Sequence, residues 1–190
     1  TSVSQTIHQI PYASSGNVIE LAVENVSKIT QPSVTVKASL PPAWLRFESQ
    51  QSHIGDIASK SEGAARFVFG VDKSAPVNSE QSLSFTITGK QDQTWTKTIT
   101  IIVAAPDRFE LFQNYPNPFN PATTISYQLT SPSKVHLVVY NLLGQEVATL
   151  AEGEREAGFH QETWSSSSLS SGVYIYRITA IDRSGNKIVQ

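Results

Sequence analysis

Apolar residues recur at alternate positions in one run after another along this chain, and few patterns narrow the choice of fold as much. Ile19, Leu21 and Val23 share one side of a run, and Val34, Val36, Ala38 and Leu40 repeat the spacing. Phe67, Phe69 and Val71 follow, then Leu83, Phe85 and Ile87. From Trp95 to Val103, the residues Trp95, Ile99, Ile101 and Val103 fall in phase, while Thr94, Thr96, Thr98 and Thr100 take the other side. One face of each strand is therefore expected to be core and the other wet. Trp44, Trp95 and Trp164 are expected to point inward rather than to form a flat sugar-binding platform. No segment carries the period of a long amphipathic helix.

Turn residues separate these runs at Ser14–Asn17, Pro41–Pro42, Lys60–Gly63 and Ala75–Asn78. That spacing predicts an immunoglobulin-like sandwich of short antiparallel strands. The segment Ala104, Ala105, Pro106, Asp107, Arg108 then ends the last strand of the first half and reads as an exposed connection. Beyond it, Tyr115 to Pro121 carries three X-Pro steps that run straight into the alternating Thr-Thr-Ile-Ser-Tyr-Gln-Leu129. Each proline fixes its own φ and pushes its predecessor toward extended backbone, so a stiff spacer is expected, with Asn117 and Asn120 bonding to its turn. Strands are predicted near 110–113, 123–129, 134–140, 146–150, 159–164, 172–181 and 186–190. The fold class that follows is all-β, two immunoglobulin-like antiparallel β-sandwich domains in tandem, with boundaries at 1–105 and 106–190. Both faces of the 173–181 run are apolar, so cover of Val173 and Ile175 by a loop or by the first domain is expected. The rival reading is an exposed docking patch.

Composition excludes several classes. With 39% hydrophobic and 16% charged residues the chain has the means for folded cores. A net charge of −2, with no run of lysines or arginines, gives no basis for nucleic-acid binding. No apolar run is long enough for membrane insertion as a helix. Without cysteine there are no disulfides, thiolate nucleophiles or cysteine metal sites. The lack of methionine at position 1 marks the sequence as an excerpt or processed fragment.

Chemistry-bearing constellations are sparse. His136 and His160 lie in predicted strands and are placed to meet across a sheet, but no third ligand has metal-site spacing. None of the serines from Ser165 to Ser171 sits in a Gly-x-Ser-x-Gly elbow, and that run reads as a polar loop. Glu152, Glu154 and Glu156, alternating with Gly153 and Arg155, read as a solvated hairpin tip. Gly144 and Gly172 each precede a strand, where a positive φ or close backbone approach is expected, so valine at either is expected to distort the chain. No metal, cofactor or catalytic residue is expected, and the chain reads as non-enzymatic.

Four motifs in order carry a resemblance. They are Pro116-Asn117-Pro118 with Asn120 and Pro121, then Tyr140-Asn-Leu-Leu-Gly144, then Gly172-Val173-Tyr174, then Lys187 near a hydrophobic terminus. Residues 109 to 190 resemble the C-terminal sorting domain (type A) of type IX (Por) secretion system substrates. Asn141 stands where that family commonly has aspartate, and both residues suit a turn. The resemblance implies a secreted or cell-surface protein, exported via the periplasm and the outer membrane, whose upstream cargo domain lies outside this chain. It implies outer-membrane secretion machinery and a cell-surface sortase as partners, with cleavage expected between Ala104 and Glu110. The second half also resembles the immunoglobulin-like region of flagellar hook-capping proteins, which would make it a structural assembly module. A third reading is a carbohydrate-binding appendage of a secreted hydrolase. Lys187 has two readings as well, a protective edge lysine or part of a terminal signal.

Overall fold

A computed structural model of the protein describes residues 7–89 and 93–190. The chain divides into two compact units, Thr1–Ala104 and Ala105–Gln190. Each is built of strands, and each pairs a larger sheet with a three-stranded one.

In the first unit the strands are β1 (Ile7–Ile10), β2 (Asn17–Glu24), β3 (Gln31–Ala38), β4 (Leu45–Phe47), β5 (Gln51–Ile57), β6 (Glu62–Val71), β7 (Glu80–Thr88) and β8 (Thr94–Val103). One sheet has the order β1-β8-β7-β3-β5 and the other β2-β6-β4. The first strand runs parallel to the last, with Ile7 opposite Thr100, and the remaining pairs are antiparallel. This is an immunoglobulin-like sandwich. Its core is what the alternation requires: Ile19, Leu21, Val36, Phe67, Phe69, Phe85, Ile99, Ile101 and Val103 are buried together. Phe67 and Phe85 pack at 4.9 Å between centroids, and Phe47 meets Phe67 edge-on at 5.8 Å. Tilted and edge-on pairs of this kind add about 0.5–1.5 kcal/mol each beyond the area they bury.

Two inward expectations fail here. Strand β3 ends at Ala38, and Leu40, though in phase, lies past the strand end and is exposed. Trp95 is in phase with Ile99 yet 50% exposed, because the first half of β8 is exposed on both sides. Trp44 packs half-buried against the core, and Trp164 of the second unit is buried, so Trp95 is the exception among the three.

In the second unit the strands are β9 (Glu110–Leu111), β10 (Ala122–Leu129), β11 (Ser133–Tyr140), β12 (Glu146–Arg155), β13 (Gly158–Ser165), β14 (Ile175–Asp182) and β15 (Lys187–Val189). They form the sheets β13-β10-β9 and β12-β11-β14-β15, antiparallel throughout. Ile125, Tyr127, Leu129, Val135, Leu137, Val139, Trp164 and Ile178 fill the core. The two sheets are also tied by polar contacts. The Tyr176 hydroxyl donates to the Phe112 carbonyl at 3.0 Å and accepts from the Asn114 amide at 3.1 Å. Gln190 exchanges backbone hydrogen bonds with Ile178, while its Oε1 accepts from the Leu111 amide at 3.1 Å.

Strand β12 runs further than the sequence suggests. Glu152 lies opposite His136, Gly153 opposite Val135 and Glu154 opposite Lys134, so Glu152 and Glu154 belong to the ladder and only Glu156 of the three is at the hairpin tip. Gly153 has φ +117° within this strand, and the chain turns only at Glu156–Ala157. Glu152 and Glu154 sit on an edge strand, and Glu154 faces Lys134 across the ladder, a stabilising placement for opposite charges.

Candidate recognition surface

The proline-rich segment is a folded loop, not a stiff spacer. Tyr115 and Thr124 exchange backbone hydrogen bonds at 3.0 Å, so the chain doubles back across the prolines. The X-Pro bonds at Pro116, Pro118 and Pro121 are cis. Asn114 is the organising side chain: its Nδ2 donates to Thr123 Oγ1 at 2.9 Å, and that hydroxyl donates to the Pro116 carbonyl at 2.8 Å. Asn117 adds a longer bond to Asn114 at 3.3 Å. The Pro121 carbonyl accepts from the Ser166 amide at 2.9 Å, which fastens the loop to the serine run. Pro116, Asn117, Pro118, Asn120 and Pro121 are exposed, whereas Phe119 packs on Trp164 at 5.3 Å between centroids. Trp164 in turn meets Tyr174 edge-on at 5.1 Å. The proline loop and the Gly172-Val173-Tyr174 motif are thereby brought to one end of the sandwich, and together they line a polar groove.

The Tyr140–Gly144 motif reaches that end from the neighbouring strand, since Tyr140 lies opposite Ile175. The guanidinium of Arg177 sits 5.0 Å from the centre of the Tyr140 ring and donates to its hydroxyl at 2.7 Å. Arg177 also lies opposite Val138 in the ladder, and Val138 is buried on the outer side of the sheet. No such cover extends to the start of β14. Val173 is 65% exposed and Ile175 56%, which overturns the expectation that both are packed away.

Two hairpins of the same sheet have the same local construction. In the first, Asn141 Oδ1 accepts from the amides of Leu143 and Gln145, and Gly144 takes φ +75°. In the second, Asp182 Oδ1 accepts from the amides of Ser184 and Asn186, and Gly185 takes φ +85°. In both, the glycine amide donates to the carbonyl of the Asx residue at 3.0 Å. Asn141 thus does what aspartate does in the twin turn. The bonds from Asn186, Ser184 and Gly185 hold the Asp182 carboxyl below its ordinary value, because they favour its charged form. The tips differ in one respect: Arg183 and Ser184 occupy the second, while Leu142 and Leu143 occupy the first at 70% and 83% exposure. Turn geometry makes no demand for leucine at those positions. Leu142, Leu143, Val173 and Ile175 form an exposed apolar set at one end of the four-stranded sheet. The leucines were legible as an anomaly, apolar residues inside a turn signal, but the sequence reading did not single them out.

Of the two glycines, only Gly144 is constrained. Gly172 has no positive φ and nothing within 4 Å of where a Cβ would stand, so the fold does not require glycine there. Gly144→Val is expected to destabilise the second unit by about 1–2 kcal/mol through the φ it must adopt. Gly172→Ala is expected to leave the melting temperature unchanged. A calorimetric scan of both variants checks this, and equal losses would show that Gly172 has a structural role after all.

Lys187 lies apart from the other motifs. It pairs with Ile181 at the far end of β14, exposed on the edge strand β15. The connection between the units is less open than expected. Pro106 is buried and Ala104 and Ala105 are half-buried, leaving Asp107 and Arg108 exposed. Arg108 pairs with Glu110 at 3.1 Å, and its carbonyl accepts from Gln128.

The histidines do not meet. His136 is on β11 in one sheet and His160 on β13 in the other, where it stacks on Tyr127 at 5.2 Å and contacts the Glu156 carbonyl. Among the described residues no group of three metal-ligating side chains converges, and no helix is long and apolar enough to cross a membrane.

Comparison with known proteins places this geometry. Residues 113–189 match the family model of the secretion system C-terminal sorting domain. No curated protein matches the chain. Among solved structures, the Pseudomonas aeruginosa CupB2 chaperone is 10% identical, with 98% of this chain and 97% of that one covered and a TM-score of 0.34. Dimeric latent PorU from Porphyromonas gingivalis is 13% identical over 100% of this chain and 18% of that one, at a TM-score of 0.36. The secreted serine protease VesC from Vibrio cholerae is 8% identical over 90% and 44%, at 0.34. Superpositions this weak support no inference about this chain, and the assignment rests on the matched residues with their motifs. Residues 113–189 are a type IX secretion system C-terminal sorting domain, and the protein that carries them is a secreted or cell-surface protein exported across the outer membrane.

Proposed function

We propose that the second unit is read in its folded form by the outer-membrane secretion machinery, through the end of the four-stranded sheet that presents Leu142, Leu143, Val173 and Ile175. The observation that carries this reading is the pair of hairpins with one construction and two kinds of tip. Exposed apolar side chains that the fold does not need are a cost in solubility, and contiguous ones mark interaction sites. The proline loop and the Gly172–Tyr174 segment frame the same end, so motifs scattered in sequence converge on one surface. The chain itself is non-catalytic in this reading. Its activity belongs to cargo upstream, with the first unit as a spacer.

A cell-surface sortase then removes the second unit, cutting at Asp107–Arg108. The support for that position is exposure: these residues are open to a protease cleft, whereas Pro106 before them is buried. Mass spectrometry of the mature protein recovered from the cell surface or medium is expected to find its C-terminus between Pro106 and Arg108. Recovery of protein ending at Gln190 as the main species would rule out cleavage.

A further inference from the structure

Strand β14 has an unpaired edge at the end where the exposed apolar set lies. In an antiparallel ladder, alternate residues turn their backbone N–H and C=O groups to opposite neighbours. Ile178 exchanges both backbone bonds with Gln190, and the Asp182 amide donates to the Asn186 carbonyl, so the even-numbered residues of β14 face β15. The odd-numbered ones, from Ile175 to Ile181, face β11. The alternation continues through Tyr174, whose ring meets Trp164 inside while Val173 and Ile175 are exposed. The partner of β14 on its β15 side reaches only to Gln190, opposite Ile178. The backbone groups of Tyr176 and Tyr174 point to that same side, and among the described residues no backbone bond meets them there.

Sheet edges are ordinarily blunted by charge, proline or a bulge. The free edge of β12 follows this rule, with two register shifts and the carboxylates of Glu152 and Glu154. Lys187 does the same on β15. From Val173 to Tyr176 there is no charge and no proline, and the register of β14 against β11 is unbroken from Ser133 to Tyr140. A regular, apolar edge of this kind is what an added strand pairs with.

We propose that a strand of the secretion machinery adds to this edge, antiparallel to β14 and beyond the end of β15, exchanging backbone bonds with Tyr176 and Tyr174. The inference rests on reading this end of the sheet as the recognition surface. The edge adjoins Val173 and Ile175, which that reading already gives to the machinery, so the same partner is the occupant and a second copy of the chain is its competitor. In this register the partner residue between the two bonded positions lies opposite Ile175, on the face where Ile175 is exposed, and an apolar side chain fits there. Main-chain bonds then supply affinity, and the apolar contact fixes the register.

The test gives the edge a strand of its own. Appending Val-Thr-Val-Thr after Gln190 continues β15, with the second and fourth added residues opposite Tyr176 and Tyr174. Val-Pro-Val-Pro keeps the length but removes the amides at those two positions. The Tyr176 amide of the unextended chain should exchange rapidly with solvent, and the Val-Thr-Val-Thr form should slow it at least about tenfold, with no fall in melting temperature. Behind a fluorescent protein exported to the periplasm of a type IX-competent bacterium, that form should reach the surface and medium at least about tenfold less than the unextended chain, because a tethered strand competes at an effective concentration of order millimolar. The Val-Pro-Val-Pro form should be exported normally. A Tyr176 amide already protected in the unextended monomer, one that Val-Thr-Val-Thr fails to protect, normal export of that form, or equal loss with both tails would each overturn the proposal. Protection that appears only as the unextended chain dimerises, followed by sedimentation, assigns the edge to a second copy and overturns it too. Export lost in the Leu142→Arg, Leu143→Ser double variant but kept with the filled edge refutes the added strand and leaves the recognition surface standing. Export kept in both refutes the surface as well.

Discussion

Replacing Leu142 and Leu143 with the Arg-Ser pair of the twin turn, Leu142→Arg with Leu143→Ser, is expected to abolish export while leaving the fold intact. The fold should not register the change. The turn is held by Asn141, Gly144 and Gln145, and the same bonds at Asp182, Gly185 and Asn186 close around Arg183 and Ser184. Surface substitutions of this kind shift stability by no more than about 0.5 kcal/mol. A receptor that buries both leucines, by contrast, loses about 1.5–3 kcal/mol for each. At 1.4 kcal/mol per tenfold, that is a fall in affinity on the order of 10² to 10⁴. Thermal unfolding of the purified variant and its distribution between periplasm, surface and medium are the two readouts. Wild-type export by a correctly folded double variant would remove the leucines from the recognition surface.

Deleting Lys187 to Gln190 should stop export for a different reason. The deletion removes β15, the edge strand paired to Thr179, Ala180 and Ile181, together with the reciprocal backbone bonds between Ile178 and Gln190. It also removes the bond from Leu111 to the Gln190 side chain, which ties the two sheets. With net contributions of about 0.5–1.5 kcal/mol per hydrogen bond, the second unit should lose on the order of 3 kcal/mol. For a unit of this size the melting temperature falls by roughly 10–20 °C. A structural module would suffer the same loss, so truncation cannot tell a sorting signal from an assembly module. The separating variant is Lys187→Ala, which keeps the strand and changes one exposed side chain. Export that survives Lys187→Ala but not the deletion assigns the tail a structural part. Loss in both, with Lys187→Ala still folded, assigns Lys187 to recognition.

Much of this architecture is written in local pattern. β2, β6, β7 and β10 alternate cleanly between turn residues, and their inward faces lie in the cores. Alternation gives the phase of a side chain, however, and says nothing about whether a facing sheet extends far enough to cover it. Trp95 and Leu40 are in phase and exposed for that reason. β5, Gln-Ser-His-Ile-Gly-Asp-Ile, is largely polar because it is an edge strand, and so carries little signal. Gly153 reads as a turn residue but lies within β12, because glycine permits φ +117° inside a ladder as readily as in a turn.

The recognition surface was partly legible. The motifs at Pro116, Tyr140 and Gly172 could be named from the sequence, but their convergence depends on the register of β11 against β14 and on Phe119 reaching Trp164. Both are long-range facts. Conversely, Lys187, adjacent to them in the motif series, is carried to the other end of the sheet by the β14–β15 hairpin. Exposure of Val173 and Ile175 was undecidable from composition, since a two-faced apolar strand is buried in most sheets. Here Arg177 and Tyr140 lie alongside the buried Val138, and nothing comparable covers the residues before them.

The most direct test of the account is a fluorescent protein exported to the periplasm of a type IX-competent bacterium, fused either to the full chain or to residues 1–104. The full-chain fusion is expected at the surface or in the medium, only in cells with intact secretion machinery, while the 1–104 fusion stays in the periplasm. Periplasmic retention of both, or release of both, would contradict the assignment of sorting to the second unit.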